Sequence, residues 1–272
     1  MTRMLCRRIA RIARDEYEAY PTDAGMVYLN LSESQMMVAR ALGLYEPEKH
    51  ALMRRILKPG MTFIDAGANK GDFSLAAACL VGEQGRVVAI EPEPRNCEWI
   101  RRSVSINHYK NITVSELALS NVDGRALLHL GRKSGWHSLK AGLADRQEGR
   151  IAVRTARLDS LLLSLGLNRI DVLKIDVEGG ELELLLGAEE TLSQSRNLML
   201  LIDLHPHLGV DVAALETFLS GKGFRFFESG APHRELERLP SEPSDIVAVR
   251  DLELLTSGRP QFAQNRLSTW SH

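Results

Sequence analysis

The sequence predicts an α/β fold in which a doubly wound parallel sheet is covered by helices. Three observations carry that expectation. From residue 59 onward, short apolar runs of strand length alternate with helical stretches, the rhythm of strand–helix–strand crossovers. Near residues 63–74 a strand, a glycine-rich turn and a helix succeed one another directly. The rhythm breaks between Ser120 and Arg169 and then resumes, as an insertion into one sheet would make it do.

Taken in order, Pro59-Gly60 signals a turn and Met61 to Asp65 is the first buried strand. Phe73 to Leu80 is helical, and Gly82 to Gly85 turns the chain into the second strand, Arg86 to Glu91. Pro94 to Asn107 is helical, with proline at a tolerated early position and Trp99, Ile100 and Val104 behind it. Ile112 to Leu119 is the third strand. Asn121 to Gly124 then turns, Arg125 to Leu130 is a short strand, and a glycine-rich loop from Gly131 to Gly149 leads to the alternating strand Arg150 to Arg157. These read as a β-hairpin inserted between the third and fourth strands. Asp159 is placed to cap the helix Ser160 to Leu165. Strand Ile170 to Asp176, helix Glu181 to Ser193, strand Leu198 to Leu204, helix Val212 to Ser220, and strands Phe224 to Glu228 and Asp245 to Arg250 complete the sheet.

Three regions follow: 1–58, an N-terminal helical segment packing on the core; 59–250, the main domain; and 251–272, a tail without strong pattern. In the first, Arg3, Arg7, Arg8, Arg11 and Arg14 alternate with Leu5, Ile9 and Ile12, and no acid precedes Asp15. The reading adopted is an amphipathic helix that docks its Leu/Ile stripe on the domain and leaves the arginines in water. An organelle-targeting or membrane-surface helix is the alternative. The same helix offers a route to a homodimer.

Composition excludes several classes. Of the 272 residues, 34 Lys and Arg against 35 Asp and Glu leave a net charge of −1, without the basic field that a nucleic-acid partner requires. Apolar runs reach five or six residues, against about 18 for a membrane span. No run has the continuous apolar stretch of a secretory signal. The three cysteines, Cys6, Cys79 and Cys97, form no metal or disulfide pattern, so a reducing, cytoplasmic setting is expected, with Cys79 a buried thiol.

The segment Phe63-Ile-Asp65-Ala-Gly67-Ala68-Asn69-Lys-Gly71-Asp72-Phe73-Ser74 places a ligand at the carboxyl end of the first strand. A dinucleotide fingerprint needs glycine where Asn69 stands, and a phosphate-binding P-loop needs lysine where Asp72 stands. Asp65 and Asp72 repel a pyrophosphate and suit a cationic ligand. Glu91, twenty residues after Gly71 at the end of the second strand, is where an acid accepts hydrogen bonds from ribose hydroxyls. A ribose, tolerance of positive charge and no phosphate cradle together describe S-adenosylmethionine.

At this point the chain resembles the FkbM-type methyltransferases of the S-adenosylmethionine-dependent superfamily, over roughly residues 43 to 229. The resemblance rests on Gly43-Leu-Tyr45-Glu46-Pro47, the Phe63–Gly71 run, Ala118-Leu119-Ser120-Asn121 with Gly124 beyond, and above all Ile170-Asp-Val-Leu-Lys174-Ile-Asp176-Val-Glu178-Gly179-Gly180-Glu181 with Leu186-Gly187-Ala188. It implies a Rossmann-like seven-strand sheet in the order 3-2-1-4-5-7-6, the last strand antiparallel. It also implies donor contacts from Asp65, Gly67, Ala68, Asn69, Gly71, Glu91 and Asp176, and adenine contacts at Glu116, Leu117 and Ala118. Hydroxyl groups of sugars or secondary metabolites are the acceptors that it implies.

Methyl transfer to a hydroxyl needs a group that takes the proton, or a metal that lowers its pKa. Asp176 and Glu178 follow the fourth strand, and Asp203, His205 and His207 lie on or after the fifth. Residues two apart on a strand share a face. His205 is thus a candidate base oriented by Asp203 or Glu178. Alternatively, Asp176, Glu178, Asp203 and His205 hold a divalent cation, or Glu178 merely caps the next helix. Lys174 is expected to reach a nearby carboxylate. Trp136 and His137 are candidates to contact the acceptor from a lid-like loop. The expected function is O-methylation of a small-molecule or glycan acceptor. N- or C-methylation, or a non-catalytic donor-binding subunit, are the alternatives.

Overall fold

The computed structural model describes residues 2–131, 137–140 and 149–256. Ahead of the main sheet come α1 (Thr2–Ile12), a hairpin of β1 (Glu18–Thr22) and β2 (Gly25–Leu29), α2 (Gln35–Ala41) and α3 (Pro47–Ile56). The N-terminal segment is therefore not wholly helical. Val27 and Leu29 alternate into a small core with Met37 and Leu75, and the exposed edge of β2 finds partners on the neighbouring helix. There the backbone N–H groups of Met26 and Tyr28 donate to the side chains of Asn107, at 2.7 Å, and Ser103, at 3.0 Å. Nor does α1 dock its whole Leu/Ile stripe: it packs on α2 with Cys6 buried and Ile9 half-buried, while Leu5 and Ile12 stay in solvent.

The chain continues as β3 (Thr62–Ala66), α4 (Asp72–Val81), β4 (Arg86–Glu91), α5 (Pro94–Ile106), β5 (Ile112–Glu116), β6 (Ala118–Leu119), β7 (Gly124–Leu130), β8 (Gly149–Ala156) and α6 (Leu158–Ser164). It closes with β9 (Val172–Ile175), α7 (Glu181–Leu186), α8 (Glu189–Gln194), β10 (Met199–Leu204), α9 (Val212–Gly221), β11 (Arg225–Glu228), β12 (Glu235–Leu236), β13 (Ser244–Val249) and α10 (Glu253–Thr256).

The main sheet has the order β12-β11-β13-β10-β9-β3-β4-β5. β10, β9, β3, β4 and β5 run parallel, and β13 lies antiparallel between β10 and β11. Short β12 adds an edge strand. A tight turn, Leu117 N–H to Ser115 C=O at 3.1 Å, ends β5 early. Ala118 and Leu119 then join β8 and β7 in a separate three-stranded sheet, so the expected third strand is two.

Alternation along the central strands makes two cores. Phe63, Val172 and Leu201 lie under α3 and α4, whereas Ile64, Leu173 and Leu200 lie under α6 to α9. The same parity sends Asp65 and Lys174, paired in register, toward α4. The expected helix over 181–193 breaks at Gly187, where any side chain would run into the Ser120 carbonyl oxygen. Asp159 does not cap its own helix. Its carboxylate accepts the backbone N–H of Glu190 at 3.1 Å and Thr191 at 2.9 Å, capping α8 across space. Cys79 is exposed, and Cys6 and Cys97 are the buried thiols. Among the described residues no helix is long and apolar enough to cross a membrane.

Candidate active site

A cavity of about 370 Å³ opens at the carboxyl ends of β3, β4, β9 and β10, where ligands of open α/β sheets bind. The glycine turn after β3 forms its floor. Gly67 (φ 79°) lies so close to β9 that any side chain there would collide with the Asp176 carbonyl oxygen. Asn69 takes a left-handed φ of 51°, turning its backbone N–H onto the Glu91 Oε2 at 2.8 Å. Glu46 (φ 43°) and Glu178 (φ 49°) adopt the same unfavourable region. Of the four non-glycine residues with positive φ among the described residues, these three border the cavity, the distribution expected where strain serves a site.

One half of the cavity sets a buried carboxylate beside an apolar wall. Glu91 is buried, and its two oxygens accept the N–H groups of Asn69 and Glu93, at 2.8 and 3.0 Å. Burial pushes its carboxyl up to about 7, against the lowering effect of those two bonds. Leu117, Ala118, Leu119 and Leu128 make an apolar wall. A buried carboxylate beside an apolar wall offers the kind of surroundings that a ribose and its base take at this end of the sheet.

Several expected donor contacts stand back from the cavity. Asp65 is fully buried, accepts the Ser74 hydroxyl at 2.6 Å and faces Lys174 Nζ at 3.5 Å. Ala68 packs against Ala89 and Ile100, and Gly71 begins α4 against the Ile100 side chain. Glu116 turns to the surface and pairs with Arg101 at 3.1 Å. These residues shape the turn and the strand ends; Gly67, Asn69, Glu91, Leu117, Ala118 and Asp176 border the cavity itself.

The other half is charged. Lys174, as expected, reaches a carboxylate: Asp176 at 3.3 Å, as well as Asp65. Burial works against the Lys174 ammonium, but Asp176, Asp65 and Asp203 hold its pKa well above the ordinary value. Burial likewise works against the Asp176 carboxylate, yet Lys174, Lys49 and His205 pull it down to about 2. Asp203 does not orient His205. Both its oxygens lie 2.6 Å from Lys49 Nζ on α3, which also meets Glu46 at 2.6 Å.

His205 is held instead by Glu181, whose Oε1 lies 2.7 Å from Nδ1, leaving Nε2 facing Glu178 Oε2 at 3.8 Å. Burial disfavours the imidazolium, but Glu181 and Glu178 raise its pKa to about 9. Burial and Asp176 push Glu178 up to about 8. Ligand atoms of Asp176, Glu178 and His205 all lie within 4.8 Å of one another.

His137 borders the cavity with both ring nitrogens engaged, Nδ1 by the Gly131 N–H and Nε2 by Glu93, each at 3.1 Å. It ties the inserted segment to Glu93, at the start of α5. Trp136 lies outside the described residues. Reasoning from sequence missed Arg40, Tyr45, Lys49 and Glu181. Arg40, from α2, bonds Asn69 at 3.1 Å, pairs with Asp72 at 3.0 Å and stacks over Tyr45. The run Tyr45-Glu46-Pro47 was the available signal for that wall.

The chain is 27% identical over 187 residues to the 2-O-methyltransferase NoeI of Sinorhizobium fredii, covering 62% of this chain and 76% of NoeI. It is 31% identical over 156 residues to the methyltransferase sdnD of Sordaria araneosa, covering 47% of this chain and 60% of that one. The solved structure of methyltransferase FkbM from Methylobacillus flagellatus matches at 15% identity and a TM-score of 0.45, covering 78% of this chain and 65% of that one. The family model described as the methyltransferase FkbM domain matches residues 65–226, which span the glycine turn, the Glu91 carboxylate and the Asp176–Glu178–His205 cluster. The chain belongs to the FkbM family of S-adenosylmethionine-dependent methyltransferases.

Proposed function

We propose that this chain methylates a hydroxyl group of a small molecule or glycan. The observation that carries the reading is the Glu178–His205 pair, oriented by Glu181 and facing the same cavity as the donor half. Bound S-adenosylmethionine supplies a methyl group carried on a sulfonium. A hydroxyl is a weak nucleophile, so a proton acceptor within hydrogen-bond reach is the chain's main contribution. Ionised Glu178 is the acceptor at that position, the His205 imidazolium beside it favours that ionised form, and Asp176 and Lys174 fix the charge around the pair. Asp203 supports the wall through Lys49. The 2-O-methyltransferase name of NoeI agrees with oxygen as the acceptor atom.

A second reading has its own observation. Asp176, Glu178 and His205 present two carboxylates and an imidazole close enough to share one divalent cation, which would lower the hydroxyl pKa directly.

The experiment is calorimetric titration with S-adenosylmethionine, S-adenosylhomocysteine and NAD, followed by labelled methyl transfer to a panel of hydroxyl, amine and carbon acceptors. Donor binding with label on oxygen supports the proposal, and label on nitrogen or carbon overturns it. Full activity after exhaustive chelation removes the cation reading.

A further inference from the structure

Helix α1 turns an apolar and strongly basic face to solvent. Met4, Leu5 and Ile12 are 75%, 53% and 79% exposed, and Cys6 is its one buried residue. Leu5 and Ile12 stand two turns apart on one stripe, with Arg8 between them and Arg7 and Arg11 on the adjoining side. Arg3, Arg7, Arg8 and Arg11 are exposed, and the helix carries no acidic residue. The whole chain has a net charge of −1, so this density of cations is local to α1.

We propose that α1 docks the protein onto an anionic lipid bilayer, with Leu5, Ile12 and Met4 in the boundary between headgroups and acyl chains and the arginines on lipid phosphates. Charge complementarity selects this occupant. A second copy of α1 would set four arginines against four, and like charges repel. A nucleic acid would be drawn to the arginines but gives Leu5 and Ile12 nothing to bury against. A basic amphipathic helix with exposed aliphatic residues satisfies both of its faces at a lipid interface. Because α1 packs on α2, whose Met36 and Arg40 border the cavity, docking brings the cavity wall close to the headgroup layer. The proposal stands independently of the acceptor.

The test is cosedimentation of the full chain with vesicles of phosphatidylcholine alone and of phosphatidylcholine mixed with phosphatidylglycerol. Binding to the anionic vesicles, weakened by added salt, is expected. Arg8→Gln and Arg11→Gln should each weaken it about fivefold, and the double variant Leu5→Ser/Ile12→Ser should lose it. Calorimetric donor titration and a melting curve on each variant check that the rest of the molecule is intact. Absence of binding, equal binding to neutral vesicles, or full binding by the Leu5→Ser/Ile12→Ser variant overturns the proposal. So does tighter binding to duplex DNA or RNA than to anionic vesicles, or a solution dimer that the α1 variants dissociate.

Discussion

The Nδ1 of His205 lies 2.7 Å from the Oε1 of Glu181, a carboxylate without exposed surface. Glu181 opens α7 and His205 follows β10, so the contact ties the start of that helix to the end of that strand. With Nδ1 engaged, Nε2 is aimed at Glu178, and the ring cannot rotate without breaking a buried, charge-assisted hydrogen bond.

Glu181→Gln is therefore expected to lower kcat by roughly 10²-fold, the usual scale for disturbing a positioned proton-transfer group. The affinity for S-adenosylmethionine should not change, since Glu181 lies outside the donor half. Steady-state kinetics beside calorimetric donor titration make the check. A variant with native kcat, or one that loses donor affinity in step with kcat, would remove Glu181 from this role.

Glu91 predicts a pH dependence of its own. Burial raises its folded pKa to about 7, above the ordinary 4.5. Below 4.5 both folded and unfolded chains hold the proton, and the group costs nothing. As pH rises from 4.5 to about 7 the unfolded chain releases its proton first, so stability falls. Above about 7 the penalty levels off at about 3 kcal/mol. Glu91→Gln forfeits one backbone hydrogen bond at every pH, about 1 kcal/mol, but removes this slope. Denaturant midpoints across the acid and alkaline sides should therefore converge in the variant. Donor affinity of the native chain should weaken as pH falls through about 7, where the ribose acceptor is protonated. A pH-independent donor affinity would argue against Glu91 as that acceptor.

Lys49 is the buried cation between Asp203 and Glu46. Lys49→Met leaves both carboxylates without their partner and should cost about 3–5 kcal/mol. Adding Asp203→Asn should recover part of the loss, because one uncompensated charge then disappears. Chemical denaturation with an unchanged slope reads this directly, and a loss under about 1 kcal/mol would show that water already compensates the group.

Some of the site was legible in the chain as written. The central strands and the glycine turn follow from contiguous patterns, and Asn69 and Asp72 alone sufficed to disfavour phosphate-binding readings. Glu91 was placed by counting from the turn. Local spacing failed where a partner is distant in sequence. Asp203 looked like the neighbour of His205, yet Lys49, 154 residues away in sequence, takes both its oxygens. Asp159 looked like a cap for the helix it begins, yet it caps α8. Asp65 looked like a ligand contact, yet it closes a buried pair with Lys174.

What the sequence determined by itself is the order of the central strands, the turn that must be glycine-rich and the set of chemical groups near the strand ends. Those depend on hydrophobic periodicity and backbone sterics, which act over a few residues. The tertiary structure alone decided which carboxylate meets which cation, where the helix over 181–193 breaks, and which face of α1 is left in solvent. Those outcomes depend on burial and on charges brought together from separate segments, and a desolvated charge settles on whichever partner the packed sheet places within reach.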